Sequence, residues 1–410
     1  MAKHAAPWVL ALLFVAVPWL LPSGAGVGLL AQIGIAAVVL TSYHLLLGQA
    51  GLLSFGHAVY VGAGAYAVVH ALHAGVGGVW PVALVPLLGG VAAGVLGLLL
   101  GWVSTRNAAM PFAMITLGVG ELVWALSHRW PTLFGGEGGL AIDRAAGVLS
   151  GDWSWGPTQH LAGLVAVYTV VCVGLMWAWT ATPLGRLVNA VRDNPLRAAS
   201  VGVNPHRIRH AVFVVSAFFA GVAGGLAALW FETVSPEVFG THRSGAYLLF
   251  AFIGGASYLA GPLLGAVLMV LALVMGSAWT PAWLLYLGVL FVVLVVVAPG
   301  GLAAGALRLG RWAGAARWPR HRVDWVDGAR RALAWLAWGA VIGTAVVAVE
   351  MLYFWQLSSS QGTLMHWWPG HAWSWSVDVA APRNWWRLTA LAGVALALAL
   401  WLRPRRSVGA

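Results

Sequence analysis

The sequence predicts an all-α fold, a polytopic transmembrane helical bundle of about 10 core helices in two weakly repeated halves, with 2 extra C-terminal helices. The first observation behind this is composition: 61% of the 410 residues are hydrophobic before 53 glycines are counted, 8% are charged, and mean hydropathy is +0.85. A soluble domain carries about 25% charged residues, so this chain lacks the polar surface to cover several soluble cores. Disordered chains are poor in apolar residues, which excludes that class too. The second observation is a series of apolar runs of about 20 residues, each long enough to cross a hydrocarbon core. The third is the gathering of basic residues in a few of the connections between those runs.

In chain order the expected spans are 27–47, 52–73, 79–103, 110–128, 161–181, 210–230, 259–277, 280–298, 333–355 and 386–402, with shorter candidates at 8–22 and 245–257. The stretch Trp8 to Pro22, behind Lys3 and His4 and before Ser23, Gly24 and Ala25, also has the shape of a signal peptide, so Met1–Ser23 reads either way. A retained first helix is the reading adopted. With the N-terminus inside, the cytoplasmic segments hold Lys3, Arg106, five Arg at 182–210, seven at 300–331 and three at 403–410, which is 17 of the 22 basic residues. Deleting the span 245–257 would invert everything after it and put the Arg-rich 300–331 stretch outside, so that span is kept, as a half-helix. Topology accounts for the net charge of +11, and no nucleic-acid partner is expected.

Between the second and third spans the chain reads Gly48-Gln49-Ala50-Gly51-Leu52-Leu53-Ser54-Phe55-Gly56-His57, and a counterpart runs from Gly254-Gly255-Ala256-Ser257 to Gly261-Pro262, Gly265 and Ala266. Paired Gly-interrupted segments in two halves of a membrane bundle point to broken helices that line a pathway; tight helix packing is the plainer reading of any single glycine. Nine of the eleven acidic residues fall in connecting segments, leaving Glu121 and Glu350 inside spans. An ionisable side chain in a bilayer is normally paired or faces a cavity. Glu350 stands near a helix end and is expected to reach the interface, whereas Glu121 is central and is expected either to bond another helix or to face the pathway. The pathway candidates are therefore Gln49, Ser54, Gly56, His57, Thr116, Glu121, Gly254 and Gly255. The histidines are scattered without ligand spacing and Cys172 is alone, so neither a metal site nor a disulfide framework is expected.

The segment Thr182 to Pro205 carries five Arg against one Asp when extended to residue 210, a balance of +4, yet interleaves Leu184, Leu187, Val188, Val191, Leu196 and Val201 with the charges. Asn194 before Pro195 is a helix N-cap with proline at the first helical position, and Gly202 suits a helix stop, so two short helices are expected. A solvated loop needs no apolar stripe; the stripe fits docking either to a lipid surface or to a partner protein.

At this arm the sequence resembles the cytoplasmic loop of ATP-binding-cassette importer permeases of the branched-chain amino acid, LivM, type. The resemblance rests on Gly185-Arg186, Ala190-Val191-Arg192-Asp193-Asn194 and Ala198 to Gly202, with further blocks at Gly48 to His57, Phe112 to Leu117 with Glu121, Gly135 to Leu140, Ser235-Pro236-Glu237 and Gly254 to Ala266. It covers about residues 27–302 in one order. It implies an ATP-driven importer of branched-chain amino acids or related small amides, in a bacterial inner membrane. The implied partners are a second homologous permease, two cytoplasmic ATP-binding subunits and a periplasmic amino-acid-binding protein. It also implies that Gly185, Arg186, Ala190, Arg192, Asp193, Asn194, Ala198 and Gly202 couple the arm to the ATPases. No enzyme activity and no cofactor are expected on this chain; ATP and Mg²⁺ would sit on the partners, because a Walker A loop needs Gly-Lys-Ser/Thr and the sole lysine is Lys3.

The expected organisation is a permease domain at 1–302, a basic cytoplasmic linker at 303–331 with seven Arg and two Asp, and a two-helix membrane extension at 332–410 with a cytoplasmic C-terminus. The extension's outer segment holds Trp367, Trp368, Trp373, Trp375, Trp385 and Trp386, which suits an interfacial aromatic belt. A proton-coupled secondary transporter working through Glu121 and His57 is the competing functional reading.

Overall fold

The structure is a computed structural model that describes residues 14–19, 24–75, 81–144, 155–258, 260–276, 280, 282–297, 300–305, 325–357, 364–367, 375–378 and 381–401. The chain divides into two compact units, Met1–Leu271 with Phe291–Gly310, and Ala272–Leu290 with Arg311–Ala410. The expected all-α helical bundle is what the described residues form. Six helices among them are long and apolar enough to cross a membrane, and two shorter apolar ones lie at Gly261–Gly276 and Trp283–Leu294.

The first unit contains α1 (Ala25–His44), α2 (His57–His73), α3 (Val85–Ser104), α4 (Ala109–Arg129), α5 (Thr158–Ala181), α6 (Pro183–Asp193), α7 (Pro195–Ser200), α8 (Pro205–Phe231), α9 (Thr241–Gly254) and α10 (Gly261–Val270). At 27 residues α8 is about 40 Å long, and it packs against α1, α2 and α3 as the centre of the unit. Its start is specified locally: Asn204 Oδ1 accepts from the His206 and Arg207 amides at 3.0 and 3.3 Å, and Pro205 supplies the helical φ.

The α2, α3 and α8 backbones approach closely because their contact positions are glycine. A Cβ at Gly64 would sit on the Gly221 carbonyl oxygen, and one at Gly224 would sit on the Val61 carbonyl oxygen, 2.8 Å from its carbon and 3.1 Å from the Ala65 nitrogen. Without a hydrophobic drive between helices in lipid, such small-residue contacts supply the packing.

At the end of the bundle away from α6, β1 (Leu140–Ala141) pairs antiparallel with β2 (Thr233–Val234). This brings the Gly135-to-Leu140 block against Ser235-Pro236-Glu237, far apart in sequence. Gly135, Gly136 and Gly139 have φ of +77°, +63° and +69°, and a side chain at Gly139 would strike the Val234 carbonyl. The Tyr66 hydroxyl donates to Phe134 O at 3.0 Å and Val234 O at 3.3 Å, tying the rim to α2. Arg144, 11% exposed at its side chain, donates to Trp155 O at 3.1 Å and Gly156 O at 2.9 Å, and pairs with Glu232 at 3.3 Å.

Two expected spans differ in form. The span expected from residue 52 starts as a helix only at His57, because residues 50–56 are irregular backbone. The expected short span at 245–257 is α9, whose 14 residues extend about 21 Å, less than a hydrocarbon core of about 30 Å. The candidate at 8–22 lies mostly outside the described residues; its portion 14–19 is helical, with Phe14 and Trp19 against Gly34 and Gly163.

The second unit holds the start of α11 (Trp283–Val297), then α12 (Trp325–Leu357) and α13 (Pro382–Trp401), which pack on each other. The 33-residue α12 takes in the last residues of the expected linker; 306–324 lie outside the described residues. Between α12 and α13 the expected Trp-rich connection contains a hairpin, β3 (Leu364–Trp367) with β4 (Trp375–Asp378), in which Trp367 is opposite Trp375. Trp368 and Trp373 lie outside the described residues. Glu350 does not reach out to an interface. It is 7% exposed, and Oε1 accepts from the Tyr286 hydroxyl at 2.7 Å and from the Thr280 hydroxyl. Two hydroxyl donors make that buried position tolerable for a carboxyl group.

Candidate translocation pathway and coupling arm

The centre of the first unit is built on a helix that changes pitch. α1 passes into a π-turn at Leu45–Gln49, after which Gly51, at φ +66°, turns the chain into the irregular segment. Exposed irregular backbone cannot lie in lipid, so its polar groups must be met within the protein. Here they are met by side chains from other elements. Phe55 N donates to Thr116 Oγ1 at 3.1 Å, Tyr43 Oη donates to Ser54 O at 2.8 Å, and Ala58 N donates to Ser244 Oγ at 3.0 Å. Ser216 on α8 donates to Ser42 O at 2.6 Å, just before the change of pitch.

The sequence candidates sort into three neighbourhoods. Ser54, Gly56, His57 and Thr116 form one, all buried: His57 Nε2 and Ser42 Oγ share a hydrogen bond of 3.0 Å, Thr116 caps the Phe55 amide, and a Cβ at Gly56 would sit on the Thr116 carbonyl oxygen. Gln49 belongs to a second, bonded to His44 at 3.3 Å and to Asn189 of α6 at 3.0 Å. Gly254 and Gly255 form the third, at the break between α9 and α10: Gly255 has φ +119°, and a side chain on Gly254 would strike the Gly261 carbonyl. The second and third touch, since a Cβ at Gly48 would meet the Ala256 carbonyl. The two Gly-interrupted segments noticed in the sequence are thus adjacent in space.

Glu121 shares no hydrogen bond with His57. It is exposed, and Thr241, the first residue of α9, donates its hydroxyl to the carboxylate. His57 and Glu121 therefore take separate partners. Among the described residues no three His, Cys, Asp or Glu side chains cluster to hold a metal.

The arm forms the two expected helices, α6 and α7. Thr182 caps the first by accepting from the Gly185 amide at 3.2 Å, and Asn194 caps the second by accepting from the Arg197 amide at 2.9 Å. Gly202, at φ +86°, ends the second. The apolar stripe is divided between two directions. Val188, Val191 and Ala198 are buried, with Gly185 packed on the Trp179 and Thr180 carbonyls. Leu196 and Val201 are 83% and 75% exposed. Arg186, Ala190, Asp193 and Asn194 are exposed. Arg192 turns back to the bundle: Nη1 donates to Gly48 O, Nε pairs with Asp193 at 3.0 Å, and its Cγ would lie 2.9 Å from a Cβ at Gly51. Sequence reasoning missed Asn189 and the inward role of Arg192. The only signal for either was the polar Asn189 among the apolar positions of α6.

A bundle of membrane helices whose broken segments meet beneath a capped, basic, amphipathic arm defines the class of polytopic transport permeases. The chain belongs to the family described as branched-chain amino acid transport system / permease component, which matches residues 25–298. It is 28% identical over 317 residues to the high-affinity branched-chain amino acid transport system permease protein LivM of Salmonella typhimurium, covering 72% of this chain and 74% of that protein. LivM of Escherichia coli gives the same identity and coverage. The LivH permease protein of Escherichia coli is 23% identical over 262 residues, 59% of this chain and 82% of its own. The fructose import permease protein FruF of Bifidobacterium longum is 27% identical over 281 residues, 64% of this chain and 74% of that one. No experimentally solved structure shows a significant match to the chain.

Proposed function

We propose that this chain is a permease subunit of an ATP-driven importer for branched-chain amino acids or related small amino acids and amides, in a bacterial inner membrane. On this reading it pairs with a second, homologous permease. Two cytoplasmic subunits bind ATP and Mg²⁺, and a periplasmic binding protein delivers the substrate. The observation that carries the reading is the two-faced arm. Arg192 and Asn189 hold it to Gly48 and Gln49, while Leu196 and Val201 face away from the bundle. A partner that grips the outer face moves, through the inner face, the segment where the two Gly-rich breaks meet. Rigid-body motion of the ATPases thereby becomes opening on one side of the membrane at a time.

Leu196→Asp is the direct test. Burying an exposed leucine contributes about 1.5–3 kcal/mol, so replacing it with a charge is expected to weaken ATPase capture by at least about tenfold. The arm, on the surface, stays folded. Co-purification of the ATP-binding subunits and substrate-stimulated ATP hydrolysis measure the effect. Full capture by the Asp variant would overturn the docking assignment. Leucine uptake by the chain without any ATPase, collapsing with the proton gradient, would replace the importer reading with a proton-coupled one.

A further inference from the structure

Glu121 occupies a position that membrane energetics make informative. Helix α4 is 21 residues, about 31 Å, and Glu121 is eight residues, about 12 Å, from its end at Arg129. The side chain is exposed, and its described partner is the Thr241 hydroxyl; among the described residues no cation pairs with it. A carboxylate in that position facing hydrocarbon would cost about 2.5–3.5 kcal/mol on insertion scales. The face of α4 that bears it therefore meets water, a polar ligand or a partner subunit rather than bare lipid.

Its surroundings have a definite chemistry. One turn back on the same face is Gly118, where a Cβ would meet nothing within 4 Å. Two turns back is Met114, 70% exposed. At Gly120 three elements converge: a Cβ there would lie 3.6 Å from Gly56 Cα, 3.7 Å from the Phe55 carbonyl oxygen and 3.9 Å from Thr241 Oγ1. Gly120 is buried and in ordinary contact there, so the Phe55 carbonyl and the Thr241 hydroxyl, both with acceptor lone pairs, lie beside the turn of α4 whose exposed face carries the Glu121 carboxylate, the open position at Gly118 and the adaptable apolar thioether of Met114. Three acceptors match the three N–H bonds of a primary ammonium, and the adjoining apolar surface matches a hydrocarbon side chain.

We propose that Glu121, with Thr241 and the Phe55 carbonyl, is a station for the ammonium group of an amino acid in transit, and that Met114 receives its side chain. The proposal rests on the import reading above and adds to it the substrate contact within this subunit. No covalent step is involved; the ammonium exchanges water for the carboxylate.

The test uses the assembled importer in lipid vesicles, in a Cys172→Ala background, with Gly118→Cys as reporter. A hydrophilic, cationic methanethiosulfonate reagent is expected to label the new thiol, and leucine at about ten times its half-protecting concentration to slow labelling about tenfold, because protection follows one plus the ratio of ligand to its dissociation constant. Adding Glu121→Gln, which removes an ion pair worth about a factor of ten in affinity, is expected to cut that protection to about twofold, while a binding-protein docking assay and ATP hydrolysis confirm that the complex is assembled. A thiol that the reagent does not reach would mean that lipid or the second permease covers this face, and the proposal fails. Equal protection in the Gln variant also overturns it. Loss of ATP-dependent leucine uptake in the parent importer, with protection intact, would sink the import reading and leave the station standing.

Discussion

In the proposed importer, Arg192→Glu is expected to leave the complex assembled and hydrolysing ATP while leucine uptake falls at least about tenfold. The reason is the direction in which Arg192 points. Its guanidinium donates to the Gly48 carbonyl, and its stem covers Gly51, so it joins the arm to the change of pitch at the end of α1. A hydrogen bond from a charged donor contributes about 1.5–3 kcal/mol, and a carboxylate in its place would face a carbonyl oxygen with the same sign of charge. Since 1.4 kcal/mol is a factor of ten, losing this bond is expected to weaken the link between arm and pathway about tenfold, leaving the Asn189–Gln49 bond. Arg192→Lys, which keeps one charged donor, is expected to recover part of the uptake. The measurement is the ratio of leucine transported to ATP hydrolysed in vesicles. An unchanged ratio for the Glu variant would remove Arg192 from the coupling route.

The largest structural effect is expected at Gly224. Its Cβ position falls on the Val61 carbonyl oxygen, 2.8 Å from the carbon and 3.1 Å from the Ala65 nitrogen, and every one of these atoms is backbone. No rotamer change relieves such a contact. Overpacking against side chains costs about 1–3 kcal/mol; Gly224→Val must push α2 and α8 apart along their length and is expected to exceed that range. Little folded protein should survive detergent extraction, read by size-exclusion chromatography after heating. Gly174→Val is the matched control, because that glycine is exposed on α5 with nothing within 4 Å of its Cβ position. Equal recovery of the two variants would show that the close approach contributes nothing to stability.

How much of this was legible in the sequence depends on the range of the interaction that decides it. The long helices follow from apolar runs, and the arm's two short helices from Asn194 before Pro195 and from the Gly202 stop, because a cap acts within one turn. The break between Gly48 and His57 was legible from its glycines, whereas what holds the segment 50–56 open was not, because Thr116, Tyr43 and Ser244 lie up to 186 residues away in sequence. The hairpin between α12 and α13 was missed for a related reason: its two four-residue strands are too short to show alternation above a Trp-rich background. Charge misled once, at Glu350, where hydropathy could not see the hydroxyls of Thr280 and Tyr286. At the candidate site, the residue types were readable and their grouping was not. Glu121 and His57 looked like one pair in sequence, whereas Thr241 and Ser42 claim them separately.

Ionic strength would act on this molecule unevenly. At the rim, Arg144 spends its donors on the carbonyls of Trp155 and Gly156 as well as on Glu232, with only 11% of its side chain open to water. Carbonyl dipoles held at contact distance attract no atmosphere of counter-ions, and a shielded guanidinium is screened far less than an exposed one. The Arg192–Asp193 pair on the arm is 37% and 67% exposed, and concentrated salt shortens the reach of such charges to about 3 Å at 1 M. The protein thus carries a salt-tolerant edge at one end and a salt-responsive one at the other.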